Sequence, residues 1–153
     1  LSGRTGRLYQ RLVTSERLCT NVGAGSAWRI GDGYFHVWAE LKEGVSPDTV
    51  ETILDEEIGR LADIPPGDRE IQRVVNSIRM NFVNRISKLE PLSDQLAWFE
   101  RIGSWQDMAG YPDAVAAVTP QRIPAVVKRW LDPRYKTTGV LISDTTSSRP
   151  QKD

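Results

Sequence analysis

The chain has 153 residues, 39% of them hydrophobic and five of them tryptophan, the size of one domain with a buried core. Twenty Lys and Arg balance twenty Asp and Glu, so charge recommends neither nucleic acid nor an anionic membrane as the main partner. The single cysteine, Cys19, excludes an intrachain disulfide and a thiolate metal cluster, and no apolar run approaches the ~20 residues of a membrane span.

Residues 1–13 read as a small-residue entry into a basic amphipathic helix. Leu8, Leu12 and Tyr9 fall on one side at helical spacing, and Arg4, Arg7 and Arg11 on another. Residues 20–30 read as a strand with Val22, Ala24, Ser26, Trp28 and Ile30 on one face, and Gly31-Asp32-Gly33 as a turn. From Tyr34 to Lys42 the pattern alternates: Phe35, Val37, Ala39 and Leu41 form an apolar face, Tyr34, His36, Trp38, Glu40 and Lys42 the other. The pair predicts a hairpin with one face against helices and one open to solvent or a cavity.

Ser46-Pro47 is a helix start, an N-cap followed by a proline whose missing N–H costs nothing there. Val50, Ile53, Leu54, Ile58 and Leu61 then form one stripe, ended by Ile64-Pro65-Pro66-Gly67. Asp68 is placed to cap a second long helix carrying Ile71, Val74, Val75, Ile78, Phe82 and Ile86. Glu90-Pro91 closes that region, and Leu92, Leu96, Phe99 and Gly103 predict another helix. Gly110-Tyr111-Pro112 reads as a loop. Thr119-Pro120 starts a last helix through Ile123, Val126, Val127, Trp130 and Leu131, which Asp132-Pro133 stops. Thr137 to Ser143 reads as a final strand. Residues 1–143 are thus expected to form one α+β domain, an antiparallel-rich mixed sheet with helices on one face. Residues 144–153 form a polar tail expected to be disordered.

The candidate chemistry is thin. Tyr34, His36 and Trp38 form the best surface strip, able to line a peptide chamber or simply to edge the core. Arg4, Arg7 and Arg11 suit a peptide carboxylate or an acidic partner, against the plainer reading of a solvated basic face. Gly23-Ala24-Gly25-Ser26 lacks the Lys-Ser/Thr of a phosphate loop. Adjacent Glu56 and Glu57 point apart on a helix, which disfavours a shared acid–base site. Cys19 has no base near it in sequence and reads as a small buried apolar residue.

The opening phrase Gly3-Arg4-Thr5-Gly6-Arg7-Leu8-Tyr9-Gln10-Arg11-Leu12-Val13 resembles the zinc-free domain of the pitrilysin/insulinase-type zinc metallopeptidases. Later phrases continue the resemblance in order: Glu57-Ile58-Gly59-Arg60-Leu61, then Glu70 to Asn76. Val118-Thr119 follows, running through Ile123, Val127, Leu131 and Pro133 to Thr138-Gly139-Val140-Leu141. The resemblance implies a metallopeptidase-like half-domain that carries no catalytic residue and no metal. The family's zinc is held by a His-x-x-Glu-His helix, and this chain has one histidine, His36, where a catalytic zinc takes three protein ligands. Zinc is therefore expected in a partner peptidase domain, supplied in cis or in trans. Active relatives also place an Arg and a Tyr in the zinc-free domain; alignment on Glu16-Arg17-Leu18 puts Val13 and Thr20 there, and neither supplies a guanidinium or a phenol.

The implied function is a noncatalytic domain that closes a peptide-holding chamber over the zinc-bearing domain of a zinc protease. Tyr34, His36, Trp38 and Arg7 are its candidate substrate-binding residues. The alternative is a peptidase-derived scaffold or protein-binding module with no proteolytic partner. The chain begins at Leu1 rather than Met, and the family places strands before Gly3, so a fragment of a longer product is expected. An open sheet edge and self-association into a homo-oligomer are expected with it. A periplasmic or otherwise exported setting is implied by the resemblance alone.

Overall fold

A computed structural model describes residue 1 and residues 3–142. A tight turn, in which Gly6 N donates to Gly3 O at 2.8 Å, leads into helix α1 (Arg7–Tyr9), which continues as a π-helical stretch, Gln10–Ser15. The helix thus starts later than residues 1–13 suggest, because Gly3 and Gly6 favour turn geometry over helix. Arg17, at φ 56, is the one described non-glycine residue with positive φ. It turns the chain out of the helix, and Leu18 N donates to Leu12 O at 2.9 Å.

Strands β1 (Cys19–Ala27) and β2 (Tyr34–Leu41) form an antiparallel two-stranded sheet. A bulge at Cys19/Asn21 sets the register, which then runs evenly from Val22↔Ala39 to Ala27↔Tyr34. Paired residues share a face, so Val22, Ala24 and Ser26 lie with Ala39, Val37 and Phe35. Gly23, Gly25 and Ala27 lie on the opposite face with Trp38, His36 and Tyr34. The alternation read from β2 is borne out: Tyr34, His36, Trp38 and Glu40 are exposed while their neighbours are half-buried.

Helix α2 (Pro47–Asp63) starts at Ser46-Pro47 as expected. Leu8, Leu12, Cys19, Val22, Val50 and Ile53 form the main core, with Val37, Ala39, Leu41 and Leu54 packed around it. Helices α1 and α2 therefore cover the Val22 face of the hairpin. Three further helices follow: α3 (Asp68–Ile86), α4 (Leu89–Ile102) and α5 (Asp107–Ala116). They meet through aromatic rings: Phe99 lies edge-on to Tyr111 at 5.7 Å, and Tyr111 is 5.9 Å from Phe82. A 3₁₀ turn (Pro120–Arg122) leads into α6 (Ile123–Trp130), which packs on α2 with Val127 buried. No helix among the described residues is long and apolar enough to cross a membrane.

Further expectations are corrected. Gly67, not Asp68, is the N-cap of α3, and Asp68 is its first helical residue. Residues 110–112 are not a loop but part of α5, with Pro112 inside the helix; the packing of Tyr111 on Phe82 and Phe99 overrides the local preference of Gly110 and Pro112. β1 ends at Ala27, so Trp28 and Ile30 leave the strand face; Trp28 instead meets Trp98 of α4, ring centroids 5.7 Å apart. Residues 137–142 form no strand. Lys136 pairs with Glu51 at 2.5 Å and Asp55 at 2.6 Å, and Thr138 donates to Glu51 at 2.8 Å, so the segment is tied to α2. Leu141 is 99% exposed. Ser143 and the polar tail 144–153 lie outside the described residues.

Candidate functional site

The side of the hairpin turned away from α1 and α2 carries the aromatic strip. Small residues on β1 let the β2 rings lie down on the sheet. A Cβ on Gly23 would stand 2.6 Å from the Trp38 indole, and one on Gly25 would stand 3.1 Å from the His36 ring. The first distance is closer than two carbons approach, so the Trp38 ring occupies the space a side chain would need. The His36 and Tyr34 rings follow, centroids 5.8 Å apart, and the Arg29 guanidinium lies 5.2 Å above the Tyr34 ring, within cation–π range. The result is a ledge of three rings along β2, the Tyr34 ring tilted 57° to that of His36, with a cation at the turn end. Tyr34 and Trp38 keep about half their surface, at 52% and 43%. Such a ledge offers stacking surface and a few polar ring atoms.

Arg7 is not on this ledge. It lies in α1 on the helix side, where Nη2 pairs with Glu70 at 3.0 Å and Nη1 donates to Ile64 O at 2.9 Å. It braces α1 against the start of α3. Arg11 is more heavily engaged: Nε reaches Glu16 at 2.8 Å, Nη2 reaches Glu56 at 2.6 Å and Nη1 reaches Glu57 at 2.9 Å. These hydrogen bonds, to Glu16 first and then Glu56, push the Arg11 pKa up. Glu57 is 4% exposed and also takes Arg60 at 2.9 Å, so one oxygen of its buried carboxylate, Oε1, accepts from two guanidiniums. The solvated basic face expected of the opening helix is thus, at Arg7 and Arg11, an intramolecular clamp onto α2 and α3.

The residues present do not fit a catalytic zinc. Among the described residues no group of three His, Cys, Asp or Glu side chains is placed to hold a metal ion; the three carboxylates gathered at Glu16, Glu56 and Glu57 are taken by Arg11. His36 lies over Gly25. Cys19 is fully buried, and burial raises its thiol pKa, the opposite of an activated thiolate. Val13 is half-buried against the core. Thr20 is exposed, its hydroxyl donating to Glu40 O at 3.2 Å.

Sequence reasoning missed Arg29, Trp28 and Arg101. With Ile30 they line an open depression of about 360 Å³ beside the hairpin turn. Arg101 sits in the last turn of α4, far from Arg29 along the chain, and no periodicity links the two. The Arg29-to-Tyr34 spacing around a Gly-Asp-Gly turn was the one local hint that a cation would fold back over a ring.

A profile of the family described as the peptidase M16 inactive domain matches residues 1–78. The fold is similar to the inactive peptidase domain of a candidate zinc protease from Bordetella parapertussis, with TM-score 0.83 at 20% identity, over 93% of this chain and 78% of that one. A candidate zinc protease from Bordetella pertussis is similar at TM-score 0.82 and 19% identity, with the same coverage of 93% and 78%. A protease from Helicobacter pylori gives TM-score 0.77 at 11% identity, over 86% of this chain and 32% of that one. No curated protein sequence matches the chain.

Proposed function

We infer, for a chain that belongs to the peptidase M16 inactive-domain family, a role in holding peptide rather than cutting it. The reading is that its open sheet face forms one wall of a chamber, and that a zinc-bearing peptidase domain forms the other. The observation that carries it is the ledge itself. The main core places α1 and α2 on the Val22 face, while Trp38 and His36 lie against the small residues of β1 on the other, with Tyr34 tilted beside them and all three exposed. Exposed aromatic faces give an extended peptide stacking surface without demanding one sequence. The zinc chemistry belongs to the partner in this reading. There the metal would activate water and polarise the scissile carbonyl; the residues here bind and orient the peptide.

Val13 and Thr20 favour a second reading, a peptide-binding scaffold without proteolysis. These positions, where active relatives have Arg and Tyr, hold a half-buried aliphatic side chain and a hydroxyl bonded to Glu40. One experiment separates the two. The chain is mixed with the zinc-bearing M16 domain of the same organism, and cleavage of a quenched fluorescent peptide is followed. The chamber reading expects hydrolysis to rise at least several-fold, and Trp38→Ser to reduce the rise without unfolding the chain. Equal hydrolysis with and without the chain would overturn it and leave the scaffold.

A further inference from the structure

The depression beside the hairpin turn is lined by two arginines, Arg29 and Arg101, together with apolar Trp28 and Ile30. It is an open depression of about 360 Å³ rather than an enclosed pocket, suited to one end of a longer ligand. Arg7, Arg11, Arg60 and Arg134 each pair with a carboxylate. Arg29 and Arg101, like most of the described arginines, have no such partner among the described residues, where the remaining ion pairs are those of Arg79 and Lys136; what sets them apart is that both line one depression. Arg29 is nonetheless positioned: its guanidinium carbon lies 5.2 Å from the centre of the Tyr34 ring. Trp28 is backed by Trp98 at 5.7 Å. The charge calls for an anion, and the Trp28 and Ile30 surfaces call for an apolar group beside it.

We propose that this depression binds the C-terminal carboxylate of a peptide whose last side chain is apolar. The carboxylate sits between Arg29 and Arg101, and the side chain rests on Trp28 and Ile30. The ledge supplies the direction: from Trp38 to Tyr34 it runs roughly 13 Å at strand spacing and ends under Arg29, so a peptide lying on it has its terminus delivered to the cation. The proposal rests on the peptide-holding reading above and names the end of the peptide that is recognised.

Calorimetry on the full chain alone tests it. The probes are an N-acetylated tetrapeptide ending in leucine, as the free acid and as the C-terminal amide, and inorganic phosphate. The acid is expected to bind with a Kd on the order of 1 mM, as exposed charge pairs allow. The amide, which loses the charge-assisted contact to both arginines, should bind at least about tenfold more weakly. Arg29→Gln and Arg101→Gln should each lose a similar factor with an unchanged melting temperature; they lie on different elements, so one remains informative if the other unfolds. Acid and amide binding alike, no heat from the acid, or full acid binding by a folded variant would overturn the proposal. Phosphate binding as tightly as the peptide acid would overturn its assignment to a peptide end. Acid-over-amide discrimination without stimulation of the zinc-bearing domain would keep this site and remove the chamber role; stimulation without discrimination would do the reverse.

Discussion

The hairpin with α1 and α2 gathers Leu8, Leu12, Cys19, Val22, Val50 and Ile53 into one cluster. The three helices α3, α4 and α5 bury two apolar side chains below a tenth of their surface, Val75 and Phe99. Around those two, Met80, Val83, Leu89 and Trp105 stand at least half exposed. The first region is close-packed in the sense that lost methyl groups leave holes. The second is held by partly covered rings, and its helices are expected to open with less free energy than the hairpin. The family profile ends at residue 78, so it spans the dense region and little more than half of α3. What the difference teaches is that the segment that positions the ledge is also the segment with the stronger core.

The largest test of this contrast is Leu12→Ala. Leu12 is fully buried, and the truncation should cost about 2–5 kcal/mol. Met80→Ala on α3, where Met80 is 61% exposed, should stay within about 0.5 kcal/mol. Denaturant melts decide it, and equal midpoints would erase the distinction. Phe99→Ala comes next. Loss of its contacts with Trp98 and Tyr111 should cost up to about 3 kcal/mol but act locally. Hydrogen exchange should accelerate in α3–α5 while β1 and β2 keep their protection; uniform acceleration would show one cooperative unit. The smallest effect is expected at the seam. The Arg7–Glu70 pair leaves each side chain about a quarter exposed, at 24% and 26%, so Glu70→Gln should cost about 1 kcal/mol or less. Its signature is faster exchange at the start of α3 alone; a loss comparable to Leu12→Ala would make the seam the structural centre.

The dense region was also the legible one. The spacing of Leu8 and Leu12, the alternation of β2 and the Ser46-Pro47 start are local patterns, and each reports which side faces the core. What could not be read depends on contacts remote in sequence. Glu57 sits inside an apolar stripe, and its burial makes sense only with Arg11, 46 residues away. Pro112 reads as a break until Tyr111 is seen against Phe82 and Phe99. Residues 137–142 carry the β-branched residues of a strand, but Lys136 and Thr138 commit the chain to the acids of α2. Of the candidate site residues, Tyr34, His36 and Trp38 share a face as their spacing requires, and Arg7 lies on the helix side. Arg29 and Arg101 were invisible because convergence on a depression leaves no period.

The π-helical stretch Gln10–Ser15 acts as a phase adjuster. Its wide turn, with Glu16 N reaching back to Arg11 O at 2.9 Å, holds one residue more than an α-helical turn. Removing Thr14 would let the helix close in the ordinary way, but every residue upstream would rotate by about 100° relative to β1. Leu8 would swing off the core, and Arg7 would leave Glu70. The extra residue therefore keeps the two ends of the opening helix in step, and a one-residue deletion there should be harsher than most substitutions.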